Sequence, residues 1–405
     1  MPPPRQPYPT RDATFAAFAA HVSPGKVRTF QKYGVDLVMG AREGASFTDA
    51  FDDRRLYNCH CNGGVFNLGH RHPKVLAALK DALDTLDVGN HHLVSGLRAR
   101  LAERLVSTTK GRLPGVVFAV AGGEAIDLAI KVARAATKRR HVVSASGGYH
   151  GHTGLALAAG DAKYREPFCS SSPDFTQVPF NELEALSRVV TEETAAVILE
   201  TIPATLGMPL PAPGYLRAVG ELCRARGAKL LLDEVQTGLG RCGSFWAHEE
   251  DGVEPDAVVT GKGLSGGLYP IAATLMTREL HAVFDDDPFL HISTFGGAEL
   301  GCAAALATLD VVEAPEFLPR VRALGERFER GLTGAPLELR RRGMFMGLKF
   351  PVEDAGLMGS KLLIDAGVFA VWANNDTSVL QFLPALTCSD AEAEEIIAIV
   401  RQVFG

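Results

Sequence analysis

The sequence predicts an α/β fold built on an open, mainly parallel sheet, and three observations carry that prediction. Short apolar runs such as Leu230-Leu231-Leu232 and Ala257-Val258-Val259 have the length of strands buried on both faces. These runs end in chemistry-bearing residues, the first in Asp233-Glu234-Val235-Gln236-Thr237-Gly238 and the second in Thr260-Gly261-Lys262-Gly263. Open α/β sheets collect their ligands just beyond such strand ends. Strand-like runs also alternate with glycine turns and helical periodicity, as at Gly115–Val120, Gly122-Gly123 and Ile126–Arg134.

With 405 residues, 46% of them hydrophobic and 22% charged, the chain is globular and long enough for a large core and two domains. A net charge of −6 and the lack of long charge runs argue against nucleic acid as a partner. No apolar run approaches the roughly 18 residues that a membrane helix needs. The opening MPPPRQPYPTRD lacks the apolar core of a signal peptide. Seven scattered cysteines suit a reducing, cytoplasmic setting better than a disulfide framework.

Residues 1 to about 12 are proline-rich and read as a poorly ordered tail. Ala13–Val22 suits a short amphipathic helix, and Val35–Arg55 holds strand-like pieces around a turn. Cys59-His60-Cys61 invites a metal reading, but a zinc site needs a second ligand pair, so no metal is expected. Gly115–Val120 reads as a strand, and Ala121-Gly122-Gly123-Glu124-Ala125 opens the helix that follows. Such a junction binds anions, because bare amides point outward and the helix dipole adds to them. His141–Ser144 is the next strand, followed by Gly147-Gly148-Tyr149-His150-Gly151-His152-Thr153. Ala195–Leu199 is another, ending at Glu200 and continuing Thr201-Ile202-Pro203-Ala204-Thr205. Ile271–Met276 reads as the last strand of the large domain. The loop His291-Ile292-Ser293-Thr294-Phe295-Gly296-Gly297 follows, and a long Ala/Leu helix starts near Cys302. Gly343–Leu348 reads as a turn and strand, and Val379–Leu386 as a further apolar stretch.

Asp-Glu-Val-Gln-Thr-Gly followed by Gly-Lys-Gly resembles the core signature of the class III aminotransferases, which are fold-type I pyridoxal-phosphate enzymes. Gly69-His70-Arg71-His72-Pro73, the Gly122-Gly123 turn, Tyr149-His150-Gly151 and Ser293-Thr294-Phe295-Gly296-Gly297 match further family stretches in order. The resemblance runs from about Gly34 to the C-terminus. It implies a large domain at 56–304 with a mainly parallel seven-stranded sheet. A small α+β domain would be built from both termini, with 1–55 as tail and limb and 305–405 as the C-terminal part. Pyridoxal 5'-phosphate is the implied cofactor, a small amino compound the substrate, and a homodimer with shared active sites the assembly.

By that resemblance, Lys262 holds the cofactor as an imine and then serves as the base at the substrate Cα. Asp233 is the ionised carboxylate that keeps the ring nitrogen protonated. Gln236 hydrogen-bonds the ring hydroxyl, and Val235 and Tyr149 cover opposite ring faces. Gly122 and Gly123, with Thr294 of the partner subunit, hold the phosphate. His150 and Glu200 complete the cofactor's surroundings.

Departures from the family pattern bear on the substrate. Ala121 stands where a hydroxyl residue usually contacts the phosphate. His152, Thr205 and Gln381 occupy positions where relatives carry, respectively, an arginine, a glutamate and an arginine that handle dicarboxylates. Losing the last pair together is coherent, since an arginine without its glutamate would be an unpaired charge. Arg241 and Arg98 are the arginines that could compensate. Substrate contacts are expected from Asn58 and His60, with His91 and His92 as further substrate-facing candidates. The expected reaction is amino-group transfer with atypical substrate recognition. The alternative keeps the cofactor but isomerises, racemises, eliminates a β- or γ-group, or forms a C–C bond.

Overall fold

The computed structural model describes residues 6–405, so residues 1–5 of the proline-rich opening lie outside the described residues. The expected tail ends sooner than residue 12. Thr10 caps a helix over Arg11–His21, its Oγ1 accepting from Ala13 N at 3.1 Å. Arg11 ties that helix down by reaching Asp49 at 2.7 Å and Asp52 at 2.8 Å. A second helix, Pro24–Lys32, follows a Ser23 cap.

Three strands come next: β1 (Met39–Glu43), β2 (Ser46–Asp49) and β3 (Arg55–Asn58), paired antiparallel in sequence. Then come the strands of the main sheet: β4 (Gly115–Ala119), β5 (His141–Ala145), β6 (Phe175–Val178), β7 (Thr194–Glu200), β8 (Lys229–Asp233), β9 (Ala257–Thr260) and β10 (Ala272–Met276). Their order across the seven-stranded sheet is β4-β10-β9-β8-β7-β5-β6, and β10 alone runs antiparallel to its neighbours. The C-terminal strands are β11 (Glu338–Arg342), β12 (Phe345–Lys349), β13 (Val368–Phe369), β14 (Val371–Ala373) and β15 (Asp376–Phe382). Four of them form the sheet β11-β12-β15-β14, while β13 pairs parallel with β3 and so joins C-terminal chain to the N-terminal sheet.

Alternation along the central strands explains the layering. Ala196, Ile198, Leu231 and Val259 face the helix Gly122–Thr137, which buries Ile126, Leu128 and Ile130 against them. Val197, Leu199, Leu230 and Leu232 face the opposite side, where Leu216, Val219 and Cys223 of the helix Tyr215–Arg226 cover them. Both faces are therefore dry, which is why these strands read as continuous apolar runs. Each fully buried Leu, Ile or Val contributes about 1.5–3 kcal/mol relative to exposure.

Register then sets up the site. Glu200 on β7 is opposite Asp233 on β8, and Asp233 is opposite Val259 on β9, with Lys262 just past the end of β9. One helix, Glu299–Val312, runs unbroken through the expected junction at 304/305, so no turn marks it.

Candidate active site

At the carboxyl edge of the main sheet lies a cavity of about 370 Å³. Its lining includes Gly122, Gly123, Tyr149, His150, His152, Glu200, Asp233, Val235, Gln236 and Lys262, ten of the residues singled out in the sequence.

Lys262 adopts φ +41, a left-handed conformation that a non-glycine residue holds only where its surroundings impose it. Its Nζ donates to Gln236 Oε1 at 2.9 Å. Burial lowers the Lys262 pKa, opposed by the charges of Asp233 and Glu200. The amine is thus biased toward the neutral, nucleophilic form.

Asp233 is 6% exposed. Its Oδ1 accepts the Val235 N–H at 3.0 Å, and its Oδ2 accepts from His150 Nδ1 at 2.9 Å. Burial alone would lower the His150 pKa, but the Asp233 hydrogen bond and charge outweigh it, and the net shift is upward. Glu200 accepts the Tyr149 N–H at 2.8 Å and the Ala204 N–H at 3.1 Å. Burial, foremost, pushes the Glu200 carboxyl up to about 7. Beside them, the acid adjoining Asp233 has a different task. Fully buried Glu234 accepts from Thr201, Thr237, the Ala247 and His248 amides and His248 Nδ1, and so pins the end of β8.

These groups fit pyridoxal phosphate. The helix Gly122–Thr137 has no side-chain cap at Ala121, so its first-turn amides stay open to an anion. A Cβ on Gly122 would stand 3.1 Å from Val235 Cγ1, so a side chain there would crowd the cradle. Val235 and Tyr149 both line the cavity, a carboxylate and an amine stand within it, and His150 Nε2 is buried with no partner among the described residues.

Other expected contacts fall outside the cavity. Asn58, expected to meet substrate, is 2% exposed. Its Oδ1 accepts from Cys61 N at 2.7 Å and His60 N at 3.2 Å, and its Nδ2 donates to His70 Nε2 at 2.9 Å. Both ends of the Asn58 amide are thus committed inside the protein, and within Asn58–Asn62 it is His60 whose charge state feels Lys262. Burial and the Lys262 charge hold the His60 pKa at about 4, so its imidazole is neutral. Thr205 turns its hydroxyl to Gly147 O at 3.1 Å. Gln381 is 6% exposed, accepting from Gln236 Nε2 at 3.4 Å and donating to Trp372 O at 3.5 Å. Arg241 is fully buried and donates to Asn67 Oδ1, Met344 O and Pro384 O, which removes it as a compensating cation. Arg98 instead donates to Gly297 O at 2.7 Å and Asn90 O at 3.0 Å. His91 stacks on His92, which packs against Phe289 at the surface. Thr294 is exposed in a loop that also exposes Ile292 (50%) and Phe295 (56%).

Gly63 was missed in the sequence reading. Its φ is +64, and a Cβ there would come 3.4 Å from Lys262 Nζ. Asn62-Gly63-Gly64 carries the signal, since paired glycines mark a turn through the left-handed region. Among the described residues, no group of three or more His, Cys, Asp or Glu could hold a metal ion, and no helix is long and apolar enough to cross a membrane.

Residues 31–404 match the family model described as aminotransferase class-III. An uncharacterized aminotransferase from Archaeoglobus fulgidus is 50% identical over 386 residues, 94% of this chain and 91% of that protein. The ornithine aminotransferase from Toxoplasma gondii ME49 is 26% identical with a TM-score of 0.89, covering 98% of this chain and 96% of its own. A second structure of that enzyme, described as having partial occupancy of PLP at its active site, is 27% identical with a TM-score of 0.88, covering 98% and 94%.

Proposed function

The chain belongs to the class-III aminotransferase family, and from that premise we propose how its own residues divide the work. It is a pyridoxal-phosphate-dependent transferase acting on a small amino compound. The observation that carries the assignment of roles is the convergence of Lys262 and Asp233 at the ends of neighbouring strands, with His150 bonded to Asp233.

When bound, pyridoxal phosphate supplies an electron sink for the pair left at the substrate Cα once its proton departs. Lys262 would hold the cofactor through its Nζ, and the same amine, once freed, would carry the proton away from the substrate Cα. Asp233 holds a proton at the ring nitrogen, its carboxylate oriented by His150 Nδ1–H and the Val235 N–H. Gln236 would donate its amide to the ring hydroxyl. Val235 and Tyr149 would cover the cofactor ring, Glu200 fixes the Tyr149 backbone, and the Gly122 and Gly123 amides would hold the phosphate.

The assembly is a homodimer in which Thr294 of the partner subunit completes each phosphate site. In support, Thr294 lies in a segment that leaves Phe289, Leu290, Ile292 and Phe295 each at least half exposed, apolar side chains that a partner subunit would cover. All seven cysteines are free, which suits the cytoplasm.

The substrate is one that relatives with carboxylate-binding arginines would not choose. Gln381 is neutral, Thr205 points away, Arg241 is committed elsewhere and His60 is uncharged. The part of the substrate remote from its amine therefore carries no carboxylate that these positions would have to pair. A panel of amine donors mixed with the holoenzyme, with cofactor absorbance and product mass followed together, tests this. Neutral amines should convert the cofactor to its aminated form. Conversion by dicarboxylic amino acids alone would reject the reading.

A further inference from the structure

Gly147 O is the meeting point of two distant parts of the chain. It accepts from Thr205 Oγ1 at 3.1 Å and from Asn375 Nδ2 at 2.7 Å. Asn375 sits in the turn between β14 and β15, and its backbone N–H donates to Thr205 O at 2.8 Å. In the same turn, Asn374 O accepts from Lys163 Nζ at 2.7 Å. The tip of one C-terminal hairpin is thus bonded to both loops that flank the cavity.

The receiving loop has little freedom. Gly147 takes φ +75, and a Cβ there would stand 2.7 Å from Leu206 Cδ1, so this backbone conformation is reserved for glycine. Gly148 N donates back to Ala145 O at 3.1 Å, and the Tyr149 N–H goes to Glu200. The direction of the Gly147 carbonyl is thereby coupled to the placement of the Tyr149 ring. Two donors satisfy both lone pairs of that carbonyl. The stem of the hairpin reaches the site as well, since Trp372 O on β14 and Gln381 on β15 lead to Gln236.

We propose that Asn375 is a positioning residue for Tyr149, acting through Gly147, with Thr205 as the second donor of the same latch. The role rests on reading Tyr149 as the ring-face residue. It also gives Thr205 a task other than substrate recognition. Asn375 Oδ1 is buried without a partner among the described residues, so the side chain serves through its Nδ2. Asn375→Asp, which keeps the shape but sets a carboxylate oxygen against the Gly147 carbonyl, should therefore loosen the segment at least as much as Asn375→Ala.

Amide hydrogen exchange of segment 146–150 is the direct test, read by mass spectrometry with and without cofactor. Both variants should exchange this segment about tenfold faster, the scale of one lost hydrogen bond, while β7 and β8 keep their protection. In the holoenzyme, the circular dichroism of the cofactor band should weaken, and kcat should fall with KM nearly unchanged. Wild-type exchange at 146–150 in either variant would overturn the latch. So would a general loss of protection extending into β7 and β8, which would make Asn375 a merely structural residue. Because the exchange is also read on the cofactor-free chain, it judges the latch independently of the role given to Tyr149.

Discussion

His150 Nδ1 and Asp233 Oδ2 lie 2.9 Å apart beneath the cavity, both almost wholly buried. This pair makes stability depend on pH in a defined direction. The His150 pKa is raised above its ordinary 6.5, burial being outweighed by the Asp233 hydrogen bond and charge. Its contribution is fully present below about pH 6.5 and is lost as pH rises through the raised value. Glu200 acts in a lower window. Burial lifts it from 4.5 to about 7, so its ionisation weakens the fold as pH climbs between those values. Denaturant unfolding of the cofactor-free protein across this range should show His150→Gln flattening the upper decline and Glu200→Gln the lower one. Unchanged slopes would contradict the assignments.

Asp233→Asn should still bind cofactor yet lose turnover by roughly 10²–10³ or more, the scale of one positioned electrostatic group. Single-turnover kinetics with a reactive amine would measure it. Near-normal rates would remove Asp233 from its role at the ring nitrogen.

Much of this site was legible because it is written locally. Asp233, Gln236 and Lys262 sit in short motifs directly after buried strands, and sheet register does the rest. The contacts of Thr205, Gln381 and Asn58 are not legible in the sequence, since each depends on a partner far along the chain or on a turn that only the fold closes. Thr205 meets Asn375, Gln381 meets Gln236, and Asn58 meets His70. Short β13 and β14 were hidden because two or three residues carry no periodicity, and β13 pairs with β3 far along the chain, whereas β14 closes a local hairpin with β15. Arg241 looked available in the sequence because burial of an arginine is rare, yet here the Asn67 side chain and two carbonyls satisfy it.

Thr294 gives the dimer a sharp test. A Lys262→Ala chain and a Thr294→Ala chain, each inactive or nearly so alone, should regain about one good site per mixed dimer. A purified heterodimer without that recovery would reject shared sites.

L-Glutamate and 2-oxoglutarate should be poor substrates. Placing a second carboxylate in the closed site without a charged partner costs about 2–5 kcal/mol, and Gln381 supplies no countercharge. Excess glutamate should convert the holoenzyme slowly or not at all in stopped-flow absorbance. Rapid and complete conversion would return the protein to ordinary glutamate-dependent relatives.

The central claim is that Lys262 is the residue that carries the cofactor. Borohydride reduction of the holoenzyme, followed by proteolysis and peptide mass mapping, tests it most directly. The account predicts the cofactor's added mass on the peptide containing Lys262, with none trapped in Lys262→Ala. Label on another lysine, or trapping that survives in Lys262→Ala, would contradict it.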